Sequence, residues 1–178
     1  MSRSKPLSAL GFAPRSVLLV EDHEAMRDAV AELLETDERL SIWAAAGTAE
    51  DALELLDGDR PPSANGGPDV AVVDLDLPGM NGLELTGELL RRTPSLPVVV
   101  LSNHPANDYE EEALDAGART YLPKERAAVE LVELIHAVLD LPPGLGRPGR
   151  RKAAPAPRDA EPANPRPRLV EPEHRPRA

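Results

Sequence analysis

Acidic residues stand directly after two apolar runs of this 178-residue chain. Glu21 and Asp22 follow the first run, and Asp74 closes the second run, with Asp76 two residues later. Three or four carboxylates that meet in one cleft repel each other strongly unless a cation lies among them. Oxygen ligands without His or Cys favour a hard ion, so Mg²⁺ is the natural candidate, with Mn²⁺ as a substitute. These four residues are therefore the predicted metal site.

A hydroxyl group and an ammonium group stand at the ends of two further strand-like runs. Ser102 follows the run 98–101, and Lys124 comes just after the run 119–122. Hydroxyl and ammonium groups that face the carboxylates would suit a phosphoryl group bound between the metal and Lys124. An Asp in the position of Asp74 can act as the covalent acceptor and form an aspartyl phosphate. Together these side chains predict phosphoryl chemistry.

Five strand-like runs that alternate with helical patterns must position these residues. Continuous apolar runs such as 16–20 and 98–101 are typical of strands buried on both faces. The last helix has the clearest one-sided stripe, formed by Ala128, Leu131, Val132, Ile135, Val138 and Leu139. Five strand–helix units in succession predict a parallel sheet with helices on both faces. In such sheets ligands gather beyond the carboxyl ends of the strands, which is where the polar residues stand.

The composition excludes several classes of protein. The chain has no Cys and a formal net charge of -11. Without Cys there are no disulfides, no thiol catalysis and no Cys-ligated zinc. A chain this acidic is a poor nucleic-acid binder over most of its surface. No apolar run approaches the roughly 18 residues of a membrane span, and the N-terminus lacks a signal-peptide core. These features predict a soluble, cytoplasmic protein.

Charge and proline content divide the chain. Residues 142–178 contain ten prolines and nine basic residues against four acidic ones, a net charge of +5, whereas the preceding residues carry -16. A segment of this composition cannot bury enough apolar surface to offset its ordering entropy. We predict a flexible N-terminus over 1–14, one folded domain over 15–141 and a disordered tail over 142–178. The tail lacks the pattern of a helix-turn-helix domain, but its basic residues could contact an acidic partner or nucleic acid.

Four motifs, in order along the chain, resemble the receiver domain of two-component response regulators: Glu21-Asp22, Val-Val-Asp74-Leu-Asp-Leu-Pro-Gly, Leu-Ser102 and Tyr121-Leu-Pro-Lys124. The similarity extends over about residues 16–141. The segments 21–23, 78–82 and 116–122 look most like receivers of the NarL/FixJ type. The resemblance implies a flavodoxin-like, doubly wound (βα)5 fold, a three-layer sandwich whose five-stranded parallel sheet has the order 2-1-3-4-5.

The resemblance also implies a role for each acidic residue. Asp74 matches the phosphoacceptor, which takes a phosphoryl group from the phosphohistidine of a sensor histidine kinase or phosphotransfer protein. Asp22 and Asp74 would bind Mg²⁺ directly, and Glu21 would bind it through water. Asp76 would contribute its backbone carbonyl to the same ion.

Three further residues match the signalling machinery of the family. Ser102 matches the hydroxyl that moves to contact the phosphoryl group, and Lys124 matches the cation that pairs with it. Tyr121 matches the aromatic switch residue, which turns inward when Ser102 moves. Asn103 departs from the pattern, because a small Ala or Gly is usual there, and it would crowd the phosphoryl pocket.

The family resemblance implies a phosphoacceptor signalling protein rather than an enzyme, with slow self-catalysed loss of its phosphate. NarL-type proteins usually carry a DNA-binding domain after the receiver. We expect none here, so a monomer or weak homodimer would signal by binding an output protein when phosphorylated.

Two alternative functions stay open. One is a receiver-like interaction module that works without phosphorylation, as Asn103 hints. The other is a haloacid dehalogenase-type phosphatase, which Asp74-Leu-Asp76 resembles, although those enzymes usually place this pair on the first strand.

Overall fold

The computed structural model describes residues 13–58 and 66–142 of the chain. The strands are β1 (Arg15–Val20), β2 (Leu40–Ala46), β3 (Val70–Asp74), β4 (Val98–Ser102) and β5 (Thr120–Pro123). The helices are α1 (Glu24–Glu35), α2 (Ala49–Asp57), α3 (Gly82–Arg92), α4 (Ala106–Asp115) and α5 (Lys124–Asp140). All neighbouring strands pair in parallel, in the order β2-β1-β3-β4-β5. The predicted doubly wound fold and its strand order are therefore confirmed.

Two apolar layers hold the sheet between its helices. Successive side chains of a strand point to opposite faces, so β1 contributes to both layers. Val17 and Leu19 pack with the layer that contains Leu131 of α5. Leu18 and Val20 pack with the layer that contains α2, α3 and α4. Because both faces of the strands are covered, the apolar runs need no polar alternation.

The buried face of α5 differs in one position from the predicted stripe. Leu131, Ile135 and Val138 are buried as predicted, but Ala128 is exposed and Ala127 is buried in its place. Positions 127, 131, 135 and 138 are separated by four, four and three residues, which keeps them on one line along a helix. Ala128 lies one position further around the helix, so its inclusion in the stripe was wrong.

A capping box fixes the start of α3. Asn81 Oδ1 accepts hydrogen bonds from the backbone N–H groups of Leu83 and Glu84, each at 3.0 Å. In return, Asn81 N donates to Glu84 Oε2 at 3.1 Å. Such a box satisfies backbone donors that the first helical turn leaves without partners. It therefore also fixes the end of the loop that leads from Asp74 to this helix.

Replacing Asn81 with alanine should lower the free energy of unfolding by about 1 kcal/mol, because the cap acceptor is lost. Urea unfolding followed by circular dichroism measures this change. The control Asn81→Asp keeps an oxygen acceptor at the cap and should stay close to the wild type. Equal losses in the two variants would show that the capping bond is not the cause.

Some sequence predictions fall outside the described residues. Apart from residues 13, 14 and 142, the predicted flexible N-terminus and disordered tail lie there. The predicted domain limits of 15–141 stay a prediction, although the elements run from Arg15 to Asp140. Within the described part of the chain, no helix combines the length and the apolar character that crossing a membrane requires.

Candidate functional site

The carboxyl edge of the sheet brings three charged side chains together. Glu21 directly follows β1, Asp74 ends β3, and Lys124 directly follows β5 as the first residue of α5. The pairing of Val20 with Val73 places the ends of β1 and β3 side by side. Only 1% of each carboxylate side chain and 7% of the lysine side chain are exposed. Buried charges of this kind need partners, because water cannot solvate them.

Lys124 bridges the two buried carboxylates. Its Nζ lies 2.8 Å from Glu21 Oε2, 3.1 Å from Glu21 Oε1 and 2.9 Å from Asp74 Oδ1. Burial on its own lowers the pKa of Lys124, but the contacts with both carboxylates raise that pKa by more, so it lies above the ordinary lysine value. Burial raises the pKa of Glu21, and the charge of Asp74 adds to this effect, while Lys124 offsets only part of it.

The acidic cluster has the composition of a site for a hard cation. Glu21, Asp22 and Asp74 each offer an oxygen atom within 4.8 Å of the others. Glu21 Oε2 and Asp74 Oδ1 are buried and have no aligned hydrogen bond, although both lie close to Lys124 Nζ. Three carboxylates face one ammonium group, and all the donors are oxygen atoms, as Mg²⁺ prefers. The residues present therefore fit this ion, with the exposed Asp22 on the open side.

Asp76 does not join this carboxylate cluster. Its side chain is exposed, and its Oδ1 lies 3.5 Å from His104 Nε2. The ring of His104 also contacts the ring of Tyr109, with centroids 4.8 Å apart. The role predicted for Asp76 uses its backbone carbonyl, so it stays a prediction. The side chain instead contacts the loop that follows β4.

The backbone of His104 links Ser102 and Tyr121. Ser102 is fully buried, and its Oγ accepts a hydrogen bond from His104 N at 3.0 Å. Tyr121 is 6% exposed, and its Oη donates to His104 O at 2.7 Å. No sequence signal revealed this linkage, because it depends on the path of the loop after β4. The structure thus places Tyr121 inward, while its predicted movement with Ser102 stays a prediction.

Asn103 lies at the mouth of a small cavity beside the charged cluster. The cavity has a volume of about 200 Å³, and its lining includes Ser102, Asn103, His104 and Lys124. Asn103 is exposed at this point. Asn103 lines the same cavity as Ser102 and Lys124, while the crowding expected from the sequence and its effect on turnover stay predictions.

Two positions that shape the site were not identified in the sequence. Arg27 Nη1 donates to the backbone carbonyl of Glu21 at 2.7 Å and lies 3.4 Å from that of Asp22, so it fixes the loop after β1. A Cβ at Gly82 would lie only 2.1 Å from the backbone carbonyl oxygen of Asp74. In the sequence, Arg27 is an ordinary helix arginine and Gly82 an ordinary glycine at the start of a helix, so only the folded chain reveals these roles.

The fold and this charged cluster define a flavodoxin-like α/β protein with an acidic pocket at the carboxyl edge of its sheet. Residues 17–136 match the response regulator receiver domain, and the chain belongs to this family of two-component signalling proteins. The resemblance found in the sequence is thereby confirmed for the receiver. Receiver domains are phosphoacceptor signalling modules that bind Mg²⁺ at an acidic pocket and pair with sensor histidine kinases and output partners.

Individual relatives agree with this assignment. The chain is 36% identical to the DNA-binding transcriptional activator DevR/DosR of Mycobacterium tuberculosis over 138 residues, which cover 78% of this chain and 59% of that protein. It is 32% identical to the transcriptional regulatory protein DegU of Brevibacillus brevis, covering 68% of this chain and 49% of the relative. The chain thus spans about half to three-fifths of the length of these curated relatives. That it lacks a DNA-binding domain stays a prediction.

Solved structures of similar proteins include members of the predicted subtype. A two-component response regulator of the LuxR family from Aurantimonas sp. has a TM-score of 0.63 and 28% identity, covering 71% of this chain and 86% of that one. The receiver domain of the putative response regulator NarL from Mycobacterium tuberculosis has a TM-score of 0.62 and 25% identity, covering 71% and 96%. The chain is therefore similar to receivers of NarL- and LuxR-family regulators.

Proposed function

We propose that this protein accepts a phosphoryl group on Asp74 from the phosphohistidine of a sensor histidine kinase or phosphotransfer protein. The reaction depends on Mg²⁺, and the phosphorylated protein signals by binding an output protein. One observation carries the proposal. The buried Asp74 carboxylate lies 2.9 Å from Lys124 Nζ and shares an oxygen cluster with Glu21 and Asp22. This arrangement combines a nucleophile, a cation for the phosphoryl oxygens and donors for a metal ion.

The transfer forms one bond and breaks another. A carboxylate oxygen of Asp74 attacks the phosphorus atom, the P–N bond breaks, and its electron pair stays on the imidazole nitrogen, which takes up a proton. Lys124 pairs with a phosphoryl oxygen and stabilises its charge. Ser102 Oγ accepts from His104 N, which leaves the hydroxyl proton of Ser102 available to another phosphoryl oxygen.

The same proposal assigns the residues that would bind the metal ion. Asp22 and Asp74 would hold Mg²⁺ directly, Glu21 would hold it through water, and Asp76 would contribute its backbone carbonyl. When bound, the ion screens the repulsion between the acceptor carboxylate and the incoming phosphoryl group. Mn²⁺ would substitute because it also takes oxygen ligands.

The output is proposed to be protein binding rather than DNA binding. The net charge of -16 on residues 1–141 supports this proposal, because an acidic surface repels the phosphate backbone of DNA. We propose that this chain works in the cytoplasm as a monomer or weak homodimer, and that its phosphate is lost slowly by self-catalysed hydrolysis. The basic residues within 142–178 offer a contact for an acidic partner or for nucleic acid.

Acetyl phosphate and Mg²⁺ should label the wild-type protein with at most one phosphoryl group per chain, whereas Asp74→Ala should stay unlabelled. Intact-mass spectrometry counts the added groups. Asp115→Ala, which removes an exposed carboxylate of α4, serves as the matched control and should be labelled like the wild type. EDTA should abolish labelling. A wild type that takes up no label would contradict the proposal, and many rapid turnovers would favour a phosphatase.

The same variant separates the proposal from phosphorylation-independent binding. Pull-downs are carried out with wild-type protein before and after labelling, and with Asp74→Ala. The proposal expects an output partner to be retained much more strongly by the labelled wild type. Equal retention in all three samples would instead indicate an interaction module that ignores phosphorylation.

A further inference from the structure

A second cavity, with a volume of about 600 Å³, lies at the amino edge of the sheet. Its lining includes residues just before β3, β4 and β5 and residues at the end of α5. Arg119 directly precedes β5, whereas Lys124 directly follows it. At about 3.3 Å per residue, the strand separates these two positions by roughly 16 Å. This amino-edge cavity is therefore distinct from the phosphoryl site.

Among the described residues, three arginines line the amino-edge cavity, and two of them are already paired. Arg15 Nη1 lies 3.2 Å from Asp69 Oδ1. Arg92 Nε lies 3.3 Å from Asp57 Oδ1, and the same guanidinium also contacts a carboxylate of α3. The charge of each of these arginines is thus offset by the protein itself.

Arg119 is the exception. Its Nη1 is buried and has no hydrogen-bond partner, and no ion pair involves this residue in the described part of the chain. The carboxylate of Asp69, which also lines the cavity, is occupied by Ser16 N at 2.8 Å and Ser16 Oγ at 2.9 Å as well as by Arg15. Buried donors of a charged group are rarely left without an acceptor in native proteins. Within residues 13–58 and 66–142, one positive charge at the cavity therefore has no partner.

The rest of the cavity wall is suited to an apolar group. The apolar lining residues include Leu56, Leu96, Val138, Leu139 and Leu141. Leu141 is 46% exposed, and among the described residues Val129 is the other large apolar side chain that is exposed. The volume lies in the range of small-molecule sites, which combine apolar walls with a few polar anchors.

We propose that the amino-edge cavity binds a small amphipathic oxyanion, held by the guanidinium of Arg119 at its charged end and by the apolar wall along its body. A planar guanidinium matches the two oxygens of a carboxylate or of a phosphate monoester. Such a ligand supplies the acceptor that Arg119 lacks and covers Leu141 at the same time. It also contacts the end of α5, where the chain continues towards residue 143.

Titration of the ¹⁵N-labelled full chain with hexanoate, hexyl phosphate and hexanol tests this proposal, in buffer without Mg²⁺ or phosphodonor. At least one of the two anions should cause saturable shifts of the backbone amides of Gly67, Leu96 and Arg119. Hexanol, which has the same alkyl chain without the negative charge, should cause no such shifts. The affinities for hexanoate and for hexyl phosphate show whether the cavity prefers a carboxylate or a phosphate. Shifts confined to Ser102 and Lys124 would place the anion in the phosphoryl site and overturn the proposal.

Variants of Arg119 complete the test. Arg119→Gln should weaken anion binding at least tenfold, and Arg119→Lys, which keeps the charge but not the planar fork, should weaken it several-fold. Arg126→Gln is the matched control, because Arg126 pairs with Glu130 on an exposed part of α5. Wild-type affinity in both Arg119 variants, absence of saturation with either anion, or equal shifts with hexanol would each overturn the proposal.

Discussion

Replacing Lys124 with methionine should lower the free energy of unfolding by about 3 kcal/mol at pH 8 without divalent cations, because removal of one member of a buried ion cluster leaves charges unpaired. Within residues 13–58 and 66–142, Lys124 provides the ion pairs of both Glu21 and Asp74. Methionine keeps most of the side-chain volume, so the loss of stability results from the missing charge and not from a cavity. Two buried carboxylates would then face each other without a cation.

The loss should depend on pH in a definite direction. The pKa of Glu21 is already raised, chiefly by burial, and removal of the ammonium group raises it further. A carboxyl whose pKa is higher in the folded state takes up a proton on folding, so its stability contribution is present at low pH and lost as pH rises through the folded pKa. We therefore expect the difference between wild type and Lys124→Met to shrink to about 1 kcal/mol at pH 5.

Urea unfolding of both proteins at pH 5 and pH 8, in EDTA, measures this difference. Lys124→Arg retains the charge and should lose less than half as much stability at pH 8. Addition of Mg²⁺ should restore part of the stability of Lys124→Met, because a divalent cation replaces the missing charge. A loss of the same size at both pH values would contradict the explanation.

Replacing Gly82 with alanine should lower the free energy of unfolding by about 2 to 3 kcal/mol, a typical cost of forcing an atom into a packed site. The new Cβ would lie 2.1 Å from Asp74 O and 2.8 Å from Leu75 Cα, and neither backbone atom can move aside cheaply. The end of β3 must shift, and Asp74 shifts with it. Because the acceptor must be held accurately for phosphoryl transfer, labelling by acetyl phosphate should slow at least about tenfold.

Gly87 offers a matched control on the same helix. It is exposed, and a Cβ at this position would meet nothing within 4 Å. Gly87→Ala should therefore stabilise the protein by up to about 1 kcal/mol through helix propensity, with labelling unchanged. Thermal unfolding and the labelling rate of the two alanine variants provide the comparison. Similar stability and labelling in both would show that the close approach to Asp74 has no effect.

The sequence predicted the fold and the charged cluster because both depend on local patterns. Four of the five strand-like runs are followed within two residues by a charged or hydroxyl side chain. Parallel strands bring those ends to one edge of the sheet, so Asp74 and Lys124 could be placed together from the sequence. The contact of Arg27 with the carbonyl of Glu21 was not predictable in this way. Any exposed helix position accepts an arginine, and only the path of the loop decides what its guanidinium reaches.

The buried face of α5 shows a similar limit. Ala127 and Ala128 have the same side chain, so hydrophobic periodicity cannot choose between them. Packing against the sheet buries Ala127 and leaves Ala128 exposed.

The position of the Asp76 side chain could not be predicted from the sequence either. Its spacing from Asp74 predicted a metal site, but its side chain turns towards His104, because the chain has left the strand and no longer follows strand geometry.

The two hydrogen bonds at His104 have a mechanical consequence for Ser102 and Tyr121. One residue supplies the donor for Ser102 Oγ and the acceptor for Tyr121 Oη, with lengths of 3.0 and 2.7 Å. We therefore expect the serine and the tyrosine to move together, with the loop after β4 setting the position of both. A displacement of about 1 Å that lengthens either bond would take it beyond the usual hydrogen-bonding distance. The hydroxyl on β4 and the aromatic ring on β5 would then follow a single conformational coordinate.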